Sequence, residues 1–406
     1  MRNHKLQNTM KKFLLLLVPV FMFACTDYDD DCNPINDKPS NNEIWYTTTN
    51  GNIATPYETD AFGANIVSNT YENGKGVIKF DKPVTSIGDY AFNCCSRLTS
   101  ITIPNSVILI GYRAFSHCGS LKNATIPDSV ASIGEDAFSS CSSLTDAIIG
   151  SSVTSIENNT FYKCAGLTSV IISDGVISIG NKAFYECSSL TSITIPDSVT
   201  SIGDSAFFGC SSLASATIGN SVTSIGNSVF SSCSNLASVT IGNRVTSIEN
   251  EAFYKCSSLT IVTIPDSVTS IGDYAFYHNS SLTSVTIGNR TTSIGEYTFC
   301  GCSSLTSVKI GNSVTSMGKA SFGHCSSLTS VTIPDSIVSM GNGVFFNCSS
   351  LTSVYCKPIT PPIGDSDMFS YNASNRKIYV HSDSVDAYKT ASYWTSYRSD
   401  IVGYDF

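Results

Sequence analysis

The amino-acid sequence predicts a β-rich α/β solenoid of about 12–13 stacked coils with a cap at each end. Phe recurs every 23 residues from Phe92 to Phe345 without a slip, and we call these residues the column Phe. Leu follows each of them by six positions, from Leu98 to Leu351, and Cys follows by three at every copy except Asn279. A unit of 23 residues cannot bury its own apolar side chains, so neighbouring units must stack.

The amino-terminal segment, residues 1–24, is predicted to be a signal peptide. Basic residues precede an apolar stretch from Phe13 to Ala24, which is shorter than the ~20 residues that a membrane-spanning helix needs. Cys25 follows directly, so the segment resembles a bacterial lipoprotein signal in which that Cys carries the lipid. Residues 25–43 are predicted to be a tether, and their acidic cluster resembles tethers that send lipoproteins to the outer surface of Gram-negative cells.

We therefore expect an exported protein that is lipid-anchored in the outer membrane and displayed at the cell surface. A periplasmic or secreted protein is the alternative. The membrane is expected to be contacted only through the lipid.

Residues 44–76 are predicted to be an N-terminal cap, because extended runs flank Asn50-Gly51, a dipeptide typical of hairpin turns. A strand from Val77 to Phe80 lies in register with the later copies and is predicted to be the first coil. The solenoid is predicted to cover residues 77–356.

Each coil is predicted to contain a half-buried strand, a turn and a compact second half. In one copy, Ile193 and Ile195 alternate with Ser192 and Thr194, which is the period of a strand with one buried face. Pro-Asp or Gly-Asn then turns the chain. The apolar residues that follow are spaced by three and four, which predicts a short strand or bend and about one helical turn.

The period stops after Cys356, and residues 357–406 are predicted to be a C-terminal cap with a strand and an amphipathic helix. This segment is rich in aromatic residues. They could form a carbohydrate platform, but packing against the last coil is the preferred interpretation.

The Cys column is interpreted as a row of buried free thiols. Adjacent coils hold equivalent Cβ atoms about 4.8 Å apart, beyond the ~3.5–4.5 Å that a disulfide requires. A metal site would need His beside the column, and His117, His278 and His324 do lie there in sequence. A His next to an inward Cys should point outward, which disfavours metal binding.

Composition and motifs exclude several function classes. The net charge is −9, and no long basic run follows the first dozen residues, so nucleic acid is not an expected partner. The chain has no nucleophile elbow, no HExxH pair, no phosphate-binding loop and no dinucleotide fingerprint. We therefore expect no enzymatic activity, no cofactor and no metal.

Two sets of outward residues are candidates for ligand contact. The first comprises short hydroxyls on the strand face, exemplified by Ser192, Thr194, Ser284 and Thr286. These rows could be a binding surface or only soluble strand residues, and the second interpretation is preferred, because Thr favours strands and duplication copies whatever was present.

The second set comprises aromatic residues directly after the column Phe, namely Tyr162, Tyr185, Tyr254 and Tyr277. An exposed edge rich in Tyr is a better candidate for recognition than the hydroxyl rows. Some of these rings are expected to pack between coils.

The repeats follow the pattern L-x-S-[IV]-x-I-P-[DN]-S-V-x-S-I-G-x-x-A-F-x-x-C-S-S, which resembles the BspA-like class of bacterial leucine-rich repeat proteins. The resemblance covers residues 77–356 and extends to the closing segment KIYVHSDSVDAYKTASYW, where His381 stands in place of the usual Pro. It implies a right-handed leucine-rich repeat stack in a surface-displayed protein that binds host or bacterial macromolecules without catalysis. In the slot that is Asn or Cys in the wider leucine-rich pattern, this chain mostly has Ser, and the column Cys is expected to serve a comparable packing role.

The sequence thus predicts a cell-surface binding or adhesion protein that engages an extracellular protein or glycan. Two alternatives remain open. One is a glycan-binding surface lipoprotein of a nutrient-uptake system, and the other is a structural surface spacer without a ligand.

Overall fold

The computed structural model describes residues 38–406. These residues contain a parallel β-solenoid of about 14 turns with little helix. The predicted solenoid class is therefore confirmed. The number of turns exceeds the expected 12–13 because two strands of the C-terminal segment continue the parallel sheet.

Each coil contributes one strand to the parallel sheets on the first side of the solenoid. It contributes a second, short strand to the parallel sheets on the second side. The strands comprise β1 (Glu43–Thr48), β2 (Ile66–Glu72), β3 (Lys75–Phe80), β4 (Ser86–Ile87), β5 (Leu98–Thr102), β6 (Leu109–Ile110), β7 (Asn123–Thr125), β8 (Ser132–Ile133), β9 (Asp146–Ile148), β10 (Ser155–Ile156), β11 (Ser169–Ile171), β12 (Ser178–Ile179), β13 (Ser192–Ile195), β14 (Ser201–Ile202), β15 (Ser215–Ile218), β16 (Ser224–Ile225), β17 (Ser238–Thr240), β18 (Ser247–Ile248), β19 (Ile261–Thr263), β20 (Ser270–Ile271), β21 (Ser284–Thr286), β22 (Ser293–Ile294), β23 (Ser307–Lys309), β24 (Ser316–Met317), β25 (Ser330–Ile333), β26 (Ser339–Met340), β27 (Ser353–Cys356), β28 (Lys377–His381) and β29 (Ile401–Tyr404).

Odd-numbered strands from β7 to β27 pair in parallel in groups on the first side, and even-numbered strands from β4 to β26 do so on the second. The pairing register advances by one repeat at each step, so that Ser192 lies opposite Ser215 and Ile195 opposite Ile218. The alternation predicted for the strand is observed, because Ile193 and Ile195 are buried whereas Ser192 and Thr194 are exposed.

The third side of the coil consists of tight turns and not of the expected helical turn. The residues two before and two after the column Phe have positive φ angles, as Lys182 (53°) and Glu186 (53°) do around Phe184. Left-handed residues at this spacing interrupt an α-helix. Alternate backbone N–H groups instead donate to the next coil, as Phe184 N does to Ala206 O at 2.8 Å. These bonds give the third side its own ladder between coils.

The column Phe residues form a continuous buried stack along the interior. The rings of Phe184 and Phe207 are parallel, with centroids 5.1 Å apart, and Phe207 and Phe230 lie 5.4 Å apart. The stack extends past the last regular repeat to Phe369 of the C-terminal segment. At the other end, Phe62 contacts Phe92 edge-on at 5.7 Å.

The column Cys residues are free thiols, and most of them are fully buried. Each typically donates its S–H to the carbonyl of the column Phe in the preceding coil, as Cys187 does to Phe161 at 3.2 Å. The thiols are therefore hydrogen-bond donors as well as small core residues. Asn279 takes the place of one Cys, is fully buried, and has no hydrogen-bond partner for either amide atom among the described residues.

The N-terminal cap differs from the sequence prediction in two respects. The hairpin turn is Asn73-Gly74, where both residues have positive φ, and it joins β2 to β3; Asn50-Gly51 joins no paired strands. The strand that contains Val77 and Phe80 was expected to be the first coil of the solenoid. It instead pairs antiparallel with β1, because β1 inserts between β3 and β5 and occupies the edge of β5.

The C-terminal segment adds β28 and β29 in parallel to β27, two 3-10 turns (Ser382–Ser384 and Thr395–Tyr397) and helix α1 (Val385–Thr390). Cap packing is confirmed for Tyr388, Trp394 and Tyr397, which are buried. The Trp394 indole N–H donates to Pro362 O at 2.9 Å, and the Tyr388 hydroxyl donates to Pro358 O at 2.6 Å. Among the helices of residues 38–406, none is long and apolar enough to cross a bilayer.

Candidate functional site

The coil geometry produces two outward surfaces that repeat with every turn. We call the outward residues of the first-side strands the sheet face. We call the surface formed by the residues from three before to two after each column Phe, without the buried Phe itself, the corner face. Both surfaces carry side chains selected in the sequence analysis.

The sheet face presents the hydroxyl rows. Ser192 and Thr194 are exposed, whereas Ser284 and Thr286 are half-buried. Equivalent residues of adjacent coils face one another across the parallel sheet, as Ser284 does Ser307. Asp146, Ile148, Ile171, Ile261 and Lys309 interrupt the hydroxyl rows on this face.

The corner face contains stacked aromatic rings. Tyr162 and Tyr185 lie 5.1 Å apart, and Phe208 continues this stack 4.8 Å beyond Tyr185. Tyr254 and Tyr277 form a second stack at 5.3 Å. All four Tyr residues selected from the sequence are half-buried, because each ring packs one face on its neighbour and leaves its edge in solvent.

Cations accompany these stacks. Lys163 Nζ lies 5.3 Å from the Tyr162 ring centroid, and Lys255 Nζ lies 5.1 Å from that of Tyr254. Lys163 also lies 3.7 Å from the Glu186 carboxylate. Partial burial raises the pKa of the Tyr185 phenol, and the Glu186 carboxylate raises it further. The phenol is therefore protonated at neutral pH and available as a donor.

The structure reveals aromatic clusters that the sequence analysis did not select. Tyr274 and Tyr297, two residues before their column Phe, stack at 5.0 Å. Tyr355 and Tyr379 stack at 4.9 Å at the C-terminal end of the sheet face, with Tyr404 edge-on to both. The first pair follows the 23-residue period and was visible in the sequence. The second has a spacing of 24, which lies outside that period.

Residues 38–406 contain no group of three or more His, Cys, Asp or Glu side chains arranged to hold a metal ion. His117, His278 and His324 all lie on the corner face with exposed side chains. The column thiols lie behind them in the core, where burial raises the pKa of Cys187 and Cys233 well above the ordinary value. Such thiols remain protonated and are poor nucleophiles. The predicted lipid site, Cys25, lies outside the described residues.

Comparison with known proteins gives one family match. The family model described as BspA type leucine rich repeat region matches residues 64–176, 154–282 and 269–397. No curated protein matches this chain significantly.

Several solved structures are similar. A leucine-rich repeat protein from Bacteroides ovatus is 28% identical, with a TM-score of 0.46, and the match covers 76% of this chain and 95% of that one. A leucine rich cell surface protein from Faecalibacterium prausnitzii is 23% identical, with a TM-score of 0.35 and coverage of 84% and 90%. A leucine-rich repeat protein from Eubacterium ventriosum is 21% identical, with a TM-score of 0.37 and coverage of 71% and 95%.

Proposed function

This chain belongs to the BspA-type leucine-rich repeat family, and on that premise we propose that it is a non-catalytic surface protein that binds extracellular macromolecules through its solenoid. Proteins of this family are typically found at the cell surface and typically have no catalytic role. The ligand class proposed here is an extended host or bacterial protein.

The observation that carries the proposal is the pair of ordered aromatic stacks on the corner face. Aromatic rings that are rigidly held and keep a polar group in solvent are the residues that contribute most to protein interfaces. Tyr162, Tyr185 and Phe208 are held by mutual stacking, and so are Tyr254 and Tyr277. Little side-chain entropy is therefore lost when a ligand binds.

The repeat makes the proposed binding multivalent. Similar side chains recur about every 4.8 Å along the stack, so an extended ligand gains affinity by contacting several coils at once. Charge contributes little, because residues 84–356 hold 16 acidic and 10 basic side chains, a net charge of 10 − 16 = −6 over the whole solenoid. Binding should therefore weaken only slightly with added salt.

The test measures binding of the full chain to a panel of immobilised extracellular-matrix proteins. The variants are Tyr162→Ser, Tyr185→Ser, Tyr254→Ser and Tyr277→Ser, singly and combined, and the matched control is Tyr393→Ser at an exposed cap position. Each single variant should weaken binding about tenfold, which corresponds to ~1.4 kcal/mol. The combined variant should lose more than any single one, and the control should bind like the parent chain. Unchanged binding of the combined variant contradicts the proposal.

A glycan-binding role in nutrient uptake is the second candidate, and the Tyr355–Tyr379 stack favours it. This pair lies on the sheet face in line with the hydroxyl rows, since Tyr355 is opposite Thr332 in the preceding strand, β25. Adjacent phenol groups beside hydroxyls are suited to hydrogen bonds with a polysaccharide strand. A glycan array should then show binding that Tyr379→Ala removes and Tyr393→Ala does not. If neither matrix proteins nor glycans bind, a structural spacer is the function that remains.

Surface display is proposed to depend on lipid at Cys25, on the strength of the sequence pattern alone. A Cys25→Ser variant should move from the membrane fraction to the soluble or periplasmic fraction when expressed in the native type of cell. Protease added to whole cells should digest the protein if it is displayed on the outer surface and should leave it intact if it is anchored facing the periplasm. Equal membrane retention of both forms would refute the anchor.

A further inference from the structure

The aromatic row of the corner face is interrupted over two coils. The position directly after the column Phe holds Tyr254 and Tyr277, then Cys300 and Gly323, and then Phe346. Three coil steps separate Tyr277 from Phe346, which is about 14 Å at 4.8 Å per step. A cleft of about 540 Å³ occupies this gap, and we call it the corner cleft. Its volume falls within the ~300–1,000 Å³ typical of small-molecule sites.

The floor of the corner cleft is formed by the small residues Cys300, Ala320 and Gly343, and the buried Gly323 lies next to Cys300. Cys300 is buried, and a methyl group added at Gly323 would lie 3.6 Å from its Sγ and 3.3 Å from the Ala320 Cβ. Gly301 has a φ of 77°, and a Cβ there would approach the His278 ring to about 3.0 Å. Glycine at this position therefore leaves room for His278 to lie over the floor.

Aromatic and imidazole rings form both end walls. At one end, His278 stands edge-on to Tyr277 with centroids 4.3 Å apart. At the other end, His324 lies 5.7 Å from Phe346. Asn347 Nδ2 lies 3.0 Å from His324 Nδ1. An amide nitrogen can only donate, so His324 Nδ1 accepts this hydrogen bond.

The charged groups around the corner cleft are few and of both signs. Lys319 lies over the Tyr297 ring, 5.6 Å from its centroid, and Asp367 lines the end next to the cap. Partial burial lowers the pKa of His278, and the positive charge of Lys255 lowers it further. The walls therefore present aromatic rings, polar groups and one charge of each sign, without the excess of acidic groups that a cationic ligand would require.

We propose that the corner cleft binds the pyranose rings of a neutral oligosaccharide. A pyranose has apolar C–H faces and a rim of hydroxyls, which match the aromatic rings of Tyr277 and Phe346 and the polar atoms of His278, His324 and Tyr297 that line the corner cleft. An apolar peptide side chain would leave these polar atoms unpaired, which costs free energy. The inference goes beyond the proposed function, whose ligand is a protein, because it gives a second ligand class a discrete place on the corner face.

The decisive variant fills the corner cleft with a ring that the fold already accommodates at the same position of other coils. Cys300→Tyr should extend the Tyr254–Tyr277 stack into the gap. The matched control is Ser231→Tyr, which adds the same ring at the equivalent position three coils earlier, since 300 − 231 is three repeats of 23. Thermal midpoints of both variants show whether each still folds.

The probes are neutral oligosaccharides of glucose, galactose, mannose and N-acetylglucosamine, with a Tyr-containing peptide as the competing class. Titration calorimetry and saturation-transfer NMR on the full chain should detect at least one oligosaccharide. Cys300→Tyr should weaken its binding at least about tenfold, equivalent to ~1.4 kcal/mol, and Ser231→Tyr should leave it unchanged. Tyr277→Ala and Phe346→Ala should weaken it as well, which keeps the test valid if Cys300→Tyr misfolds.

Three outcomes overturn the inference. The first is that no neutral oligosaccharide binds, and the second is that the peptide binds at the corner cleft instead. The third is that Tyr379→Ala abolishes sugar binding whereas Cys300→Tyr does not, which assigns the glycan to the sheet face. If matrix proteins still bind through Tyr162 and Tyr185 in any of these cases, the proposed function stands and only the corner cleft is rejected.

Discussion

Backbone strain is concentrated in single residues on either side of each column Phe. A left-handed conformation costs an ordinary L-residue roughly 1–2 kcal/mol relative to the right-handed one. Ser205 is such a residue, with a φ of 57°. The coil tolerates this strain because the Ser205 N–H donates to Asn227 O of the next coil at 2.9 Å.

Ser205→Gly should therefore stabilise the protein by about 0.5–1 kcal/mol. Glycine adopts this φ without strain, but its greater freedom in the unfolded chain offsets part of the stabilisation. Ser201→Gly is the control, because Ser201 lies in strand β14 of the same coil, where glycine should destabilise by a similar amount. Chemical denaturation of the two variants measures the difference. Equal destabilisation by both substitutions would show that the corner is not strained.

The column thiols make stability sensitive to alkaline pH. Burial raises the pKa of Cys187 and Cys233, whereas an unfolded thiol titrates near 8.5. Above that pH the unfolded chain has lost protons that the folded chain retains, so the free energy of unfolding falls as pH rises. Each protonated thiol makes its full contribution to the free energy of unfolding below about pH 8.5. Above that pH the contribution of each thiol falls by up to ~1.4 kcal/mol per pH unit.

We expect a thermal midpoint that is nearly constant from pH 6 to 8 and falls steeply above about pH 9. The double variant Cys187→Ser, Cys233→Ser should show a shallower fall, since hydroxyls do not titrate in this range. Comparing slopes and not midpoints removes the loss of stability that the substitutions themselves cause. Identical slopes would mean that these thiols are not protonated core donors.

At the scale of the element, the Phe stack is the main cohesive feature of the solenoid. Phe207 is fully buried between Phe184 and Phe230, so Phe207→Ala should cost about 3–5 kcal/mol. The next residue, Phe208, provides the matched control, because its ring lies on the half-exposed corner face. Phe208→Ala should cost clearly less in urea denaturation. Equal losses would mean that the ring at position 207 is not in the core.

The Phe stack was predictable, because a strict period fixes which side chains share an interior row. The conformation around it was not, since spacings of three and four fit both a helical turn and the left-handed corner at Lys182 and Glu186. The corner cleft also escaped the sequence analysis. It depends on two small residues, Cys300 and Gly323, that are unremarkable singly and form a gap only when they occupy adjacent coils.

At the scale of residues 38–406, strand pairing at the N-terminal end of the solenoid differs from strand pairing in the regular coils. The sequence placed the first coil strand at Val77–Phe80 by register, and Ile78 and Phe80 of this strand are indeed buried. The strand that pairs with β5 could not be predicted. β1 pairs antiparallel with the edge of β5 that β3 was expected to occupy. Periodicity specifies which residues face inward, but it does not specify which strand terminates a sheet.

Hydrogen bonds between coils join residues close to one repeat apart throughout the solenoid, as Cys210 to Phe184 and Asp273 to Asn250 do. Folding therefore closes only short loops, and the entropy of loop closure does not grow with the number of coils. We expect the coils to fold one after another, because each coil forms its hydrogen bonds on the coil that is already folded next to it. A chain that is threaded across a membrane could thus acquire native structure while its remaining coils are still in transit.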